Sequence, residues 1–396
     1  MTVGRPAGHL VVQLVGDIYV RREEPLSLFV HVAPLLRQGD ITIGNLEGPI
    51  TDRGQPLQGK IQPGQSYYRA APNVAQVLAD VGFDAVSLAN NHMMDYGPEG
   101  LTQTLELLRQ AGIRYAGAGR NVEEAHQPAT MEKNGVRLAL LSYTSVFLPV
   151  EFPAGKDRPG VATAKVQTAY HTPVNALIEP GFPPIIYTIP DPGETDRILD
   201  DIRRAKQQAD VVIVSWHWGI SRGYGQVAGY QKELGRAAID AGADLIMGHH
   251  PHQLQGMEMY KGRLIAYSLN EFGLERAYAR PFAGSETVLL KFHIEHRNVK
   301  GYSFIPGWID RATFEPRLVD LDEGRPVIEK MEKMSEEFGT TFTMQGNEMA
   351  IGGPRPGTPP APRGVQALAD SLIPAGDIPS RRRSAGSSQQ PSGRRD

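Results

Sequence analysis

The chain has 396 residues, of which 40% are hydrophobic and 21% charged. That apolar content suits two domains, or one large α/β body with appendages, and excludes global disorder. A formal net charge of −3 excludes a general attraction to nucleic acid or acidic membranes, and the absence of cysteine excludes disulfides, thiolate zinc sites and a cysteine nucleophile.

Residues 9–15 read HLVVQLV and are followed at once by Gly16-Asp17. A signal peptide would place basic residues before such a run and small residues after it. The run therefore predicts a buried first strand, with cytoplasmic location as the default. No apolar run approaches the roughly 20 residues of a membrane helix, so no membrane span is expected.

Short apolar, β-branched runs recur at 10–15, 41–43, 85–88, 138–141, 211–215, 245–247, 264–267 and 288–292. Such runs predict fully buried strands. Helical periods alternate with them. The segment 73–81 stops at Gly82. The segment 98–110 opens on a proline, sets Leu101, Leu105 and Leu108 on one face and stops at Gly112. The segment 196–208 sets Ile198, Ile202 and Ala205 on one face, and 227–241 stops at Gly242. Two stretches break the alternation. Residues 51–71 end in Tyr67-Tyr68-Arg69, and residues 145–192 are proline-rich. Each reads either as a cleft-lining segment or as an ordinary surface loop. Residues 351–396 hold eight of the 31 prolines, seven arginines, three aspartates and no aromatic residue. That composition predicts a disordered Pro/Gly/Arg-rich tail.

Function is concentrated at the strand ends. The first strand is followed by Gly16-Asp17 and the second by Gly44-Asn45-Leu46-Glu47. The third leads to Asn90-Asn91-His92, with Asp95 three residues on. Later runs lead to His217-Trp218-Gly219 and to Gly248-His249-His250-Pro251-His252. In open α/β sheets, ligands bind outside the carboxyl ends of the strands. Oxygen and imidazole donors without sulfur suit Mn, Fe, Zn or Mg. Singly, each residue has an ordinary role: an aspartate after a strand is usually a turn former or helix cap. The ordered set, and the alternate histidines 250 and 252, point to a divalent-metal rim.

That order is similar to the calcineurin-like metallophosphoesterases. More closely, the chain resembles the CapA family, associated with bacterial capsule and poly-γ-glutamate synthesis. The resemblance is carried by NLEGPIT (45–51), SLANNHMMDYG (87–97), GAG (117–119), SWHWG (215–219) and AGADLIMGHHPHQLQGMEMYKGRLIAYSL (241–269). It implies a metallophosphatase-like, four-layer αββα sandwich over residues 8–300, with loop insertions. Residues 301–350 are then expected as an extension packed on that core, before the tail of 351–396.

The resemblance also implies a two-metal site. Asp17 and His252 would bind one ion, Asn91, His217 and His250 the other, and Glu47 would bridge them. His92 would protonate a leaving group. Asp95 has two readings, orienting His92 or capping the next helix, and His249 stands as a neighbour of the ligands or as an alternative ligand. Three departures stand out. Position 19 is Tyr19 where the superfamily usually has histidine, which is expected to weaken the first position. Ile220-Ser221-Arg222 stand where the family often has an acidic residue shortly after His-Trp-Gly. Ser268-Leu269-Asn270-Glu271-Phe272 stands for the family's Ser-Leu-Gly-Asn-Phe. The implied activity is a phosphoesterase-like hydrolase acting on a small-molecule phosphoester or an acidic polymer. The alternative is a non-catalytic component that binds polymer, or partner proteins, in capsule or poly-γ-glutamate synthesis.

Overall fold

A computed structural model describes residues 9–58, 67–221, 225–275 and 285–354. The fold is mixed α/β. Among the described residues, ten strands form one sheet and six form another. In the larger sheet, His9–Tyr19, Ile41–Leu46, Ala85–Ser87 and Arg114–Ala116 run parallel, each paired with the next. The other side of His9–Tyr19 takes two strands, Glu286–Glu295 antiparallel and Glu271–Leu274 parallel. Beyond Glu286–Glu295 the sheet continues through Asn298–Ile309 and Glu348–Gly352 to Thr341–Gln345. In the smaller sheet, Val136–Thr144, Val211–His217, Leu245–His249 and Arg263–Ala266 run parallel, flanked by the antiparallel strands Ala129–Lys133 and Met257–Tyr260.

The apolar runs form these strands because both of their faces are covered. One cluster joins Leu10, Val12, Leu14, Ile41 and Ile43 of the larger sheet to Leu138, Leu140, Ile213, Leu245 and Met247 of the smaller. A second cluster gathers Ile18, Leu46 and Val86 with Leu78, Leu101 and Leu105 of the helices Val74–Val81 and Gly97–Gln110. A third sets Leu141, Val212, Val214 and Ile246 against Ile198, Ile202, Leu234 and Ala238 of the helices Pro192–Gln208 and Gly229–Asp240. Each such side chain contributes roughly 1.5–3 kcal/mol on burial, before ordering entropy is counted. Strand ends outrun the apolar signal: the first strand extends to Tyr19, and the run at 211–215 extends to His217.

The amino ends of the parallel strands share one device. Asp40, Asp84, Asp210 and Asp244 each stand immediately before a strand. Their carboxylates accept the backbone N–H of Val11, Thr42, Arg137 and Val212 on the neighbouring strand at 2.7, 2.8, 2.8 and 2.9 Å. Each aspartate also donates its own N–H to the carbonyl of the same partner. This two-point clamp fixes register, and register decides what emerges at the opposite edge.

The proline-rich stretch 145–192 contains a hairpin, Val166–His171 paired with Ile185–Pro190. Residue 300 falls inside Asn298–Ile309, and the strand Glu348–Gly352 runs into the segment read as tail. The tail expectation otherwise concerns residues 355–396, which lie outside the described residues, as does Arg222. Among the described residues, no helix is long and apolar enough to cross a membrane.

Candidate metal centre

Two glycines let the strand ends come together. A Cβ on Gly16 would stand 2.0 Å from the Asn270 carbonyl oxygen, and one on Gly248 would stand 2.0 Å from the Tyr267 carbonyl oxygen. Real side chains do not tolerate such approaches, so only glycine precedes Asp17 and His249. The backbone N–H of Asp17 then donates to Asn270 at 2.9 Å.

On the larger sheet, Glu271, Asp17, Asn45 and Ser87 fall in one register row across adjacent parallel strands. All four are buried, with Asp17 and Asn45 at 0% exposure. Asn45 Nδ2 donates to Asp17 Oδ1 at 2.9 Å, and its own Oδ1 accepts from Ser87 Oγ at 2.9 Å. Glu47 lies just past the second strand and is fully buried. Asn90 holds the next turn, donating to the Leu46 carbonyl at 2.8 Å and accepting the His92 N–H at 3.1 Å.

The smaller sheet contributes imidazoles. His217 and His249 pair across neighbouring strands. His217 Nε2 lies 2.7 Å from Asn91 Oδ1, and its ring centroid is 4.9 Å from that of His250. His249 Nδ1 lies 3.0 Å from Asp17 Oδ1. His250 and His252 have φ of +95° and +52°, a region that non-glycine residues seldom adopt. That conformation turns the chain sharply around Pro251. The His250 N–H reaches Asp17 Oδ2 at 3.3 Å, and His252 Nδ1 lies 3.7 Å from the same oxygen.

His92 and Asp95 form a distinct unit. His92 Nδ1 is 2.7 Å from Asp95 Oδ2, which also accepts the Tyr68 N–H at 2.7 Å. The helix Gly97–Gln110 begins after Tyr96 with no side-chain cap. Of the two readings of Asp95, the geometry is that of an orienting carboxylate. The Tyr68 ring stacks on His92 at 3.7 Å and on Tyr19 at 4.2 Å. The Tyr19 hydroxyl accepts the Arg69 N–H at 3.1 Å, and burial pushes its phenol above the ordinary value. Tyr19 is thus committed to a ring stack and to backbone. Of the segment 51–71, residues 59–66 lie outside the described residues, and Tyr68 covers His92.

Asp17, Glu47 and His252 offer donor atoms that lie within 4.8 Å of one another, and all three residues are buried. Glu47 Oε1 stands 3.7, 3.8 and 3.9 Å from Nε2 of His252, His92 and His217. Those separations are long for hydrogen bonds. Donors about 2.0–2.2 Å from a shared ion are themselves roughly 3–4 Å apart, so this spacing suits metal ligation. The donor set is carboxylate, amide and imidazole, and it can hold a metal ion. Contacts link Asp17, Glu47, Asn91, His92, His217, His250 and His252, while Trp218 packs in the third apolar cluster.

The sequence pattern assigns no role to two further residues of the rim. Tyr68 stands there only as part of a cleft-lining segment, and Glu271 only as a departure from the family pattern. Glu271 is 1% exposed, and its Oε1 lies 3.1 Å from His252 Nδ1.

The family model for the bacterial capsule synthesis protein PGA_cap matches residues 11–273. The capsule biosynthesis protein CapA of Bacillus anthracis is 29% identical over 336 residues, covering 80% of this chain and 71% of the relative. The PGA biosynthesis protein CapA of Bacillus subtilis is 30% identical over 335 residues, covering 82% and 78%. A probable polyglutamine synthesis accessory protein of Mycobacterium tuberculosis is 30% identical over 239 residues, covering 59% and 55%. The match spans the strands that deliver Asp17, Glu47, His217 and His252 to one rim, and the chain belongs to the PGA_cap family of bacterial capsule synthesis proteins.

Proposed function

We propose that this protein is a metal-dependent hydrolase of the phosphoesterase type, working in capsule or poly-γ-glutamate polymer metabolism. Its architecture is then the metallophosphatase-like αββα sandwich, a reading supported by the three apolar clusters between helices, sheet, sheet and helices. The observation that carries the function is the convergence of buried donors around Glu47 Oε1.

Asp17, Glu47 and His252 would hold one divalent ion, Mn, Fe, Zn or Mg, and Glu47, Asn91, His217 and His250 would hold a second. The chemistry such ions would supply is activation of a water and neutralisation of charge on the reacting oxygens. The chain's own residues do the rest. Asp95 keeps the His92 ring oriented through Nδ1, leaving Nε2 on the Glu47 side, where it can hand a proton to a leaving oxygen. Tyr68 covers the other face of that ring and keeps bulk water from it. The names of the Bacillus relatives support a capsule or PGA setting, so the substrate class is a phosphoester or an acidic polymer, and capsule-synthesis proteins are the natural partners.

The test is metal content of the purified protein together with a panel of phosphoesters and polyglutamate screened with manganese. His92→Ala is expected to retain metal and to lose about 10²–10⁴-fold in turnover. Unchanged turnover in that variant removes His92 from the mechanism. Polymer binding without turnover on any substrate would instead identify a non-catalytic component of the synthesis assembly.

A further inference from the structure

We propose that Glu271 is a ligand of the Asp17–Glu47–His252 ion position, standing in for the imidazole that position 19 does not provide. The proposal rests on the metal reading above and adds a donor to it. Glu271 opens a strand parallel to His9–Tyr19 and is paired in register with Asp17, so the two carboxylates share one face of the sheet. Gly16 makes this possible by admitting the Asn270 carbonyl against the first strand. Asn270, at φ +62°, then redirects the chain so that Glu271 follows at the rim. Its Oε1 and Asp17 Oδ2 flank the same imidazole nitrogen, His252 Nδ1, at 3.1 and 3.7 Å. Both separations fit donors that share one ion through His252 Nδ1, and the shorter is also a hydrogen-bond distance, which the test below distinguishes. Tyr19, by contrast, is held by Tyr68 and the Arg69 backbone.

The consequence is chemical. With Glu271 the first position has three carboxylates and one imidazole, whereas the second has one carboxylate, one amide and two imidazoles. Oxygen-rich sets favour harder ions, so the first position is shifted towards Mn²⁺ or Mg²⁺ relative to the second, and it is not the weak position that Tyr19 alone implies.

Metal retained per full-length chain, measured by elemental analysis after mild dialysis against Mn²⁺, tests this. Wild type is expected to keep about two ions, and Glu271→Gln about one, with at least about 100-fold weaker affinity for the lost ion. The metal-free melting temperature of Glu271→Gln is expected to hold or rise, because one of three clustered carboxylates is gone, while the Mn²⁺-induced rise shrinks. Should that variant fail to fold, Glu271→Asp, which keeps the charge but withdraws it by one methylene, is expected to lose the same ion. Two ions retained in the variants, or a lowered metal-free melting temperature with metal uptake intact, overturns the proposal and leaves Glu271 as a structural partner of His252. A wild type that takes up no metal overturns the metal reading and this proposal together.

Discussion

The two edges of the parallel strands treat aspartate in opposite ways. At the amino edge, Asp244 is 2% exposed and meets Lys206 Nζ at 2.7 Å, Arg263 Nε at 3.2 Å and the Val212 N–H at 2.9 Å. At the carboxyl edge, Asp17 is 0% exposed and meets the Asn45 amide, the His249 and His252 imidazoles and the His250 N–H. Among the described residues no lysine or arginine pairs with Asp17. The first carboxylate is neutralised and holds strands together. The second is surrounded by an amide, imidazoles and a backbone N–H. Such an arrangement contributes little to stability and leaves a donor ready for a cation.

The sharpest way to break that contrast is to remove each charge. Asp17→Asn is expected to abolish the metal-induced rise in melting temperature and to lower turnover at least about 100-fold, with a smaller change in metal-free stability. Asp244→Asn is expected to do the reverse. It should cost roughly 2–3 kcal/mol in denaturant unfolding, discounted from a fully buried pair because Lys206 and Arg263 keep solvent access, and it should leave the metal-induced rise unchanged. Equal metal responses in the two variants would erase the distinction between the edges.

A smaller effect is expected from Tyr68→Leu. Loss of the stacked ring should loosen His92, lower kcat about tenfold with little change in KM, and displace the basic limb of the pH–rate profile. An unchanged profile would reduce Tyr68 to packing.

The smallest effect belongs to the amino edge again. The Tyr302 hydroxyl donates to the Asp244 carbonyl at 2.7 Å, and burial pushes its phenol well above the ordinary value. A group whose folded value is raised contributes stability that is present below its unfolded value, about pH 10, and is lost as pH rises above it. Tyr302→Phe is therefore expected to cost about 1 kcal/mol at neutral pH and to flatten the alkaline loss by about one proton. An alkaline slope identical to wild type would show that another buried tyrosine carries it.

The carboxyl edge is far more legible in the sequence than the amino edge. Asp17, Glu47, His217 and His252 follow apolar runs, and a polar residue at the end of a buried run stands out against it. Asp40, Asp84, Asp210 and Asp244 precede such runs, where aspartate is also an ordinary turn residue, so the clamp shows only when both strands are seen. Asp95 divides between two readings because a capping carboxylate and an orienting one occupy the same position in sequence. The hairpin Val166–His171 with Ile185–Pro190 is hidden by its prolines and by exposed Tyr170 and Ile186, which blur the alternation a half-buried strand shows. Glu271 begins a strand instead of ending one. Its place beside Asp17 depends on a pairing between residues far apart in the chain, and no local pattern encodes that.

That long-range pairing bears on how the protein is made. The donors of the rim run from Asp17 to Glu271 and come from both sheets. A ribosome must therefore have synthesised two-thirds of the chain before any complete set exists, and the two sheets must dock before the set converges. The closing neighbour of the first strand, Glu286–Glu295, arrives later still. If the centre takes a metal as proposed, its loading follows translation. On the proposed metal reading, the sheets dock through the apolar cluster they share and through contacts such as Tyr302 to the Asp244 carbonyl, and the donors converge only then.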